Sequence, residues 1–175
     1  QALAYRDGGV YVTVFPSGPI YRIDPSNGSR TTTDLRVRSF SFDMTFLGTE
    51  LWQTHDNNDV KRFDVYDQSG HEFPGPVSRR KSITSDGTYL YIGDAGNQKI
   101  YKVSAPSGQV IATYDLPDPS QPRRLCYKDG WIWSHTKNSL VKLLQRGPTD
   151  ISELSNINGL ATDGTDFWLI GEYAG

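Results

Sequence analysis

The sequence predicts an all-β protein assembled from similar units, each near 40 residues long. Three observations lead there. Short apolar-aromatic bursts recur after Gly-containing turns: Val10-Tyr11-Val12, Leu51-Trp52, Leu90-Tyr91-Ile92, Trp131-Ile132-Trp133 and Phe167-Trp168-Leu169. Their spacing is regular, with 41 residues from Tyr11 to Trp52, then 39 to Tyr91, 41 to Ile132 and 36 to Trp168. A composition of 12% aromatics with 17 Gly and 10 Pro suits many short strands joined by tight turns. No segment longer than a turn has a helical period, so almost no helix is expected.

The third unit serves as the template. Ser82–Ser85 reads as a short strand, Asp86-Gly87-Thr88 as a turn and Tyr89–Gly93 as a second strand. After a turn at Asp94-Ala95-Gly96-Asn97, Lys99–Val103 alternates polar and apolar residues, as a third strand does. Ala105-Pro106-Ser107-Gly108 turns the chain again, and Gln109–Leu116 forms an outer fourth strand. Four short antiparallel strands in about 40 residues make one blade of a β-propeller.

The other units follow the same order. In the first, Asp7-Gly8 precedes the aromatic strand, Ile20–Ile23 is the third strand, and Pro25-Ser26-Asn27-Gly28 is the turn after it. The second replaces Asp-Gly with Leu47-Gly48-Thr49, after a run from Phe40 to Phe46. Its third strand is Val60–Phe63, followed by a turn at Asp67-Gln68-Ser69-Gly70. The fourth carries Asp129-Gly130 and a third strand at Leu140–Leu143. The fifth has Asp163-Gly164 but supplies only Gly159–Thr162 and Phe167–Ile170 before Gly175. The expected fold is a β-propeller of four-stranded blades, four complete units plus an incomplete C-terminal blade. Its boundaries fall near 1–36, 37–79, 80–121, 122–154 and 155–175.

The third unit resembles the NHL-type propeller repeat through Asp86, Gly87, Leu90–Ile92, Asp94, Gly96, Asn97, Ile100 and Val103. At the level of repeats the resemblance covers nearly the whole chain, and only unit three matches closely. It implies the fold and leaves function open, because such propellers are binding platforms and, more rarely, lyases.

Two outer strands are missing from the fifth unit, and the first unit has no spare strand to lend it. An exposed edge after Trp168 would be a pairing hazard. Three explanations stay open: a fragment of a longer propeller, completion by another copy or partner, or four blades with a docked C-terminal hairpin. The chain starts at Gln1 without Met and without a signal peptide, so it reads as processed or as part of a longer product.

Charge and composition narrow the partners. The net charge of -2 gives no general bias toward nucleic acid or acidic membranes. No apolar stretch approaches the roughly 18 residues needed to span a bilayer. The single Cys126 permits no internal disulfide, and beside Leu125 it reads as a small buried hydrophobe. Asn27-Gly28-Ser29 is a glycosylation acceptor sequence, meaningful only on a eukaryotic secretory route.

Up-and-down connectivity assigns loops to faces. The loop between the second and third strands shares a face with the connection into the next unit. Two rings of residues fall on that face. The first holds His55, Asp94 and His135 at one phase of the repeat, with Glu172 within one residue of it. Imidazoles and carboxylates around one axis could bind a divalent metal or act as acid and base. The competing reading is that an Asx side chain in a tight turn caps local amides. The second ring is basic: Arg36 and Arg38, Arg79, Arg80 and Lys81, then Arg123 and Arg124. Seven cations gathered by the repeat would make a local positive field suited to carboxylate, sulfate or phosphate. Alternatively these residues are solvated, or pair with Asp115, Asp118 and other nearby acids. Trp52, Tyr91, Trp131, Trp133 and Trp168 lie on second strands and read mainly as packing between blades.

Phosphate-binding glycine loops, HExxH, paired-cysteine zinc spacings and Gly-x-Ser-x-Gly turns are all absent from the sequence. A three-histidine zinc site would need His71, which the strand order places on the opposite face from His55 and His135. The favoured expectation is a non-enzymatic recognition or assembly module without a cofactor. It would present its basic face to an anionic ligand, a glycan or a protein, in a secreted, cell-surface or virion-surface setting. One alternative is a metal-dependent lyase or hydrolase using His55, Asp94, His135 and Glu172. The other is a structural subunit completed by a partner strand.

Overall fold

The computed structural model describes residues 2–13, 18–37, 41–55, 59–64, 70–74, 81–105, 107–116, 124–135, 139–142, 148–150 and 154–173. Within them the chain forms eighteen strands and no helix. The first sheet is β1 (Leu3–Arg6), β2 (Gly9–Thr13), β3 (Gly18–Ile23) and β4 (Arg30–Val37), paired in that order. The second is β5 (Ser41–Leu47), β6 (Glu50–His55), β7 (Asp59–Asp64) and β8 (Gly70–Pro74). The third is β9 (Lys81–Ser85), β10 (Leu90–Asp94), β11 (Lys99–Ser104) and β12 (Gln109–Asp115). The fourth is β13 (Leu125–Lys128), β14 (Trp131–His135), β15 (Ser139–Lys142) and β16 (Pro148–Asp150). The fifth has two strands, β17 (Leu154–Thr162) and β18 (Phe167–Tyr173). All pairings are antiparallel, and the strands of the third sheet lie within one residue of the sequence expectation at each end.

The hairpin turns explain the recurring Asp-Gly pair. Asp7 and Gly8 have φ of 48° and 70°, and Asp129 and Gly130 have 52° and 79°. Two consecutive positive φ values make a two-residue hairpin whose twist matches its strands, and Asp-Gly tolerates that geometry best. Asp86-Gly87-Thr88 and Asp163-Gly164-Thr165 build longer turns by a different device. Asp86 Oδ1 accepts the amides of Thr88 and Tyr89 at 2.8 and 2.7 Å, and Asp163 Oδ1 accepts those of Thr165 and Asp166, each at 2.7 Å. The turn expected at Asp67-Gln68-Ser69-Gly70 falls outside the described residues except for Gly70.

Strand alternation sends successive side chains to opposite faces of each sheet, so each sheet contributes to two cores. Met44, Leu51, Ile20 and Leu35 fill the space between sheets one and two. Trp52, Ile83, Leu90, Ile92 and Val103 fill the next space, and Tyr91, Ile100, Leu125 and Ile132 the one after it. Cys126 and Leu160 pack with Trp133 and Phe167 between sheets four and five. Leu3, Val10, Val12 and Ala161, with Tyr5, Ile23 and Trp168, lie between sheet five and sheet one. The first strands touch in the same cyclic order, β1 against β5, then β9, β13, β17 and back to β1. β17 is longer than the sequence suggested, and its pairing with β18 shifts register between Ser155 and Gly159.

Candidate functional site

The first strands surround a common axis, and one end of that axis carries a buried charge. Asp43 of β5 is completely buried. Its Oδ2 accepts the amide of Ile83 from β9 at 3.1 Å, while Oδ1 has no hydrogen-bond partner among the described residues. Arg124 enters just before β13 and donates to the carbonyl of Phe42, next to Asp43. Burial raises the Asp43 carboxyl to about 7, against the opposing pull of Arg124 and of the amides of Ile83, Met44 and Leu125. The Arg124 guanidinium is itself pushed down by burial and held up by Asp43. Residues from three units, 40 and 81 positions from Asp43, therefore meet around one carboxylate.

Toward the other end lies a cavity of about 120 Å³, to which all five first strands contribute. Tyr5, Phe46, Ser85, Tyr127 and Thr162 each come from a different one of them. Thr45, Thr84, Ser85 and Thr162 belong to this lining, and the space accommodates a few water molecules or a small polar ligand. Cys126 also lines it, but burial raises its thiol well above the ordinary value, so it is a poor nucleophile there.

The registers place the backbone of the described members of the predicted rings toward the Asp43 end. His55, Asp94 and His135 are the last residues of β6, β10 and β14. Asp94 is paired with Lys81 and His55 with Ser41, so second-strand ends and first-strand starts share a face. Arg36 lies near the end of β4, opposite Pro19 at the start of β3, on that same side. Glu172 lies on β18 opposite Ser155. Arg38, Arg79, Arg80 and Arg123 lie outside the described residues.

Two of the predicted residues have structural occupations. Asp94 is buried, and its Oδ1 accepts the amides of Gly96 and Asn97 at 2.8 and 3.2 Å. Its Oδ2 accepts the Asn97 side-chain amide at 2.7 Å. That is the turn-capping role of an Asx residue. Arg124 turns inward to the Asp43 end of the axis. Among the described residues, no three His, Cys, Asp or Glu side chains are grouped to hold a metal.

A second set of cations escaped the sequence reading. Arg22, Arg62, Lys102 and Lys142 stand at intervals of 40 residues, each on a third strand. Arg22 donates to the Asp7 carbonyl at 3.1 Å and lies across Gly9, where a Cβ would come within 2.3 Å of its Nε. Lys102 stands 4.0 Å from Asp86 Oδ2 and over the rings of Tyr89 and Tyr91. Their constant interval was the available signal. A related clasp joins neighbouring sheets: Arg6 donates to Thr49 O at 3.0 Å and covers Phe46, while Lys128 donates to Gly164 O at 2.5 Å near Phe167.

No protein-family model matches the chain, and the comparison with curated proteins finds no match. Solved structures do match. The chain is similar to the crystal structure of Myxococcus xanthus glutaminyl cyclase, with TM-score 0.64 and 10% identity over 78% of this chain and 67% of that one. It is also similar to the crystal structure of a nidogen/laminin complex, with TM-score 0.62 and 15% identity over 97% of this chain and 71% of that one. At these identities the likeness shows the fold alone, a β-propeller. One neighbour is an enzyme and the other a binding protein, so the fold leaves both functions open.

Proposed function

We propose that the chain is a non-enzymatic binding module, a propeller of NHL-like units that presents its Asp43-end face to an anionic glycan, ligand or protein. Four units are four-stranded blades, and the two-stranded fifth closes the ring through its contacts with sheets four and one. The observation that carries the reading is the register, which gathers Arg36, Lys81 and the Arg124 strand end on one face. Arg124 serves the buried carboxylate, so the binding role falls to the other cations of the basic ring. Loops fixed by a rigid sheet scaffold carry such recognition well. A secreted, cell-surface or virion-surface setting fits that role.

The test uses a sulfated oligosaccharide as probe, with titration calorimetry at low and high salt. Binding that weakens with salt and falls at least tenfold in Arg80→Ser/Lys81→Ser supports the reading. Binding unchanged by both salt and substitution sinks it. The catalytic alternative built on His55, Asp94, His135 and Glu172 would require Asp94 to abandon three hydrogen bonds in its own turn.

A second reading, a structural subunit completed by a partner strand, has its own observation. Among the described residues β18 pairs with β17 alone, whereas every other second strand pairs on both sides.

A further inference from the structure

Each unit sets a small residue of its first strand against an aromatic residue of its second. The register pairs are Ala4 with Tyr11, Thr45 with Trp52, Thr84 with Tyr91, Cys126 with Trp133 and Ala161 with Trp168. All five small residues line the axial cavity of about 120 Å³. Their order around the ring divides that lining in two. Thr45 and Thr84, from units two and three, make a polar side. Cys126, Ala161 and Ala4, from units four, five and one, make an apolar side.

Thr84 is only 5% exposed, and Thr45 is half-buried. Neither hydroxyl has a hydrogen-bond partner among the described residues. Ser85 and Thr162 also line the cavity but are engaged in their own turns, where their hydroxyls accept the amides of Gly87 and Gly164, each at 3.0 Å. Buried polar groups are nearly always partnered, so two unpartnered threonines of neighbouring units beside one cavity mark a place for a molecule that bonds them. Among the described residues no charged side chain lines the space, and an ion there would lose its hydration without a countercharge. Water would satisfy the threonines but would also wet Cys126, Ala161 and Ala4.

We propose that the axial cavity binds a small uncharged amphipathic molecule, a short aliphatic chain with one hydrogen-bonding head. The head bonds Thr45 and Thr84, and the chain lies against Cys126, Ala161 and Ala4. An apolar cavity of about 150 Å³ holds benzene, so this one takes about five non-hydrogen atoms. The site uses none of the cations of the basic ring, so it stands or falls apart from the anion-binding reading above.

Propionamide has the right size and serves as the probe, with propionate as its charged isostere. Both are titrated into the intact protein at neutral pH, and binding is read by saturation transfer to the ligand methyl protons. A ligand of that size reaches roughly micromolar affinity at best, so the titration runs into the tens of millimolar. The expected result is saturable binding of propionamide, with propionate at least tenfold weaker. Thr84→Val keeps the shape and removes the hydroxyl, so it should weaken propionamide at least fivefold without lowering the melting temperature. Ala161→Leu fills the apolar side and should abolish binding; if that variant does not fold, Thr84→Val carries the test. No saturable binding to the folded parent means that water alone fills the cavity, and overturns the proposal. Propionate binding as tightly as propionamide overturns the uncharged head. Binding unchanged in Thr84→Val puts the probe elsewhere on the protein and also overturns the proposal.

Discussion

Replacing Asp43 by Asn should change how stability depends on pH more than it changes stability at any one pH. Asp43 is raised from an ordinary 3.8 to about 7 in the folded protein. Between these values the folded state keeps a proton that the unfolded chain has released. Stability from this group is therefore fully present below 3.8, falls as pH rises, and levels off above 7. At about 1.4 kcal/mol for each tenfold change in proton activity, that window is worth roughly 4 kcal/mol. Asn carries no proton to lose, so the stability of Asp43→Asn relative to the parent should climb by about that amount between pH 4 and pH 8. Other carboxylates, including Asp24, Asp86 and Asp163 with lowered values, contribute to both curves and cancel in the difference. The assay is urea unfolding followed by tryptophan fluorescence at half-unit pH steps. Arg124→Met is the companion variant. It leaves an uncompensated buried carboxylate and should lose about 3–5 kcal/mol at pH 8, and distinctly less at pH 5. Parallel curves for parent and Asp43→Asn across pH 4–8 would refute the argument, because Asp43 would then titrate as a solvated acid.

Three further outcomes follow from the same geometry. Gly9→Ala displaces Arg22 from the Asp7 carbonyl and should cost about 1–2 kcal/mol in chemical denaturation, with most of that cost absent in an Arg22→Ala background. Tyr91→Phe removes the hydroxyl donor to Asp86 and should cost about 1 kcal/mol near neutral pH, with the difference narrowing once acid protonates Asp86. Cys126 should resist a bulky maleimide at pH 8 until urea unfolds the protein, as followed by intact mass.

Much of the fold was legible because its signals are local. Asp-Gly pairs marked hairpins whose φ values demand them, and alternation through Lys99–Val103 located β11 to within one residue. The capping role of Asp94 was also readable as the local alternative to a metal site, since its partners Gly96 and Asn97 lie two and three residues away. The pairing of Asp43 with Arg124 was not. Those residues are 81 positions apart in units two and four, and only the arrangement of first strands around the axis brings them together. Arg124 looked like one more loop cation because sequence carries no record of which way a side chain turns. The Arg22-to-Lys142 series was visible in principle at a constant interval, but the aromatic strands beside it vary from 36 to 41 and drew the eye to a looser period.

The cyclic order of the five cores sets the order in which this molecule can assemble. Four of the intersheet cores join units that are sequence neighbours, so each can form as soon as its two sheets exist. The fifth joins Leu3, Val10 and Val12 to Ala161, across almost the whole described chain. Closing that longer loop adds only about 1 kcal/mol of chain entropy over a neighbouring pair, because the cost grows with the logarithm of length. Its penalty is kinetic, since distant contacts form late. During synthesis the apolar side chains of β1 and β2 that face this seam wait uncovered until β17 and β18 arrive. Loss of that one seam would part sheet five from sheet one while leaving the four cores between sequence neighbours intact.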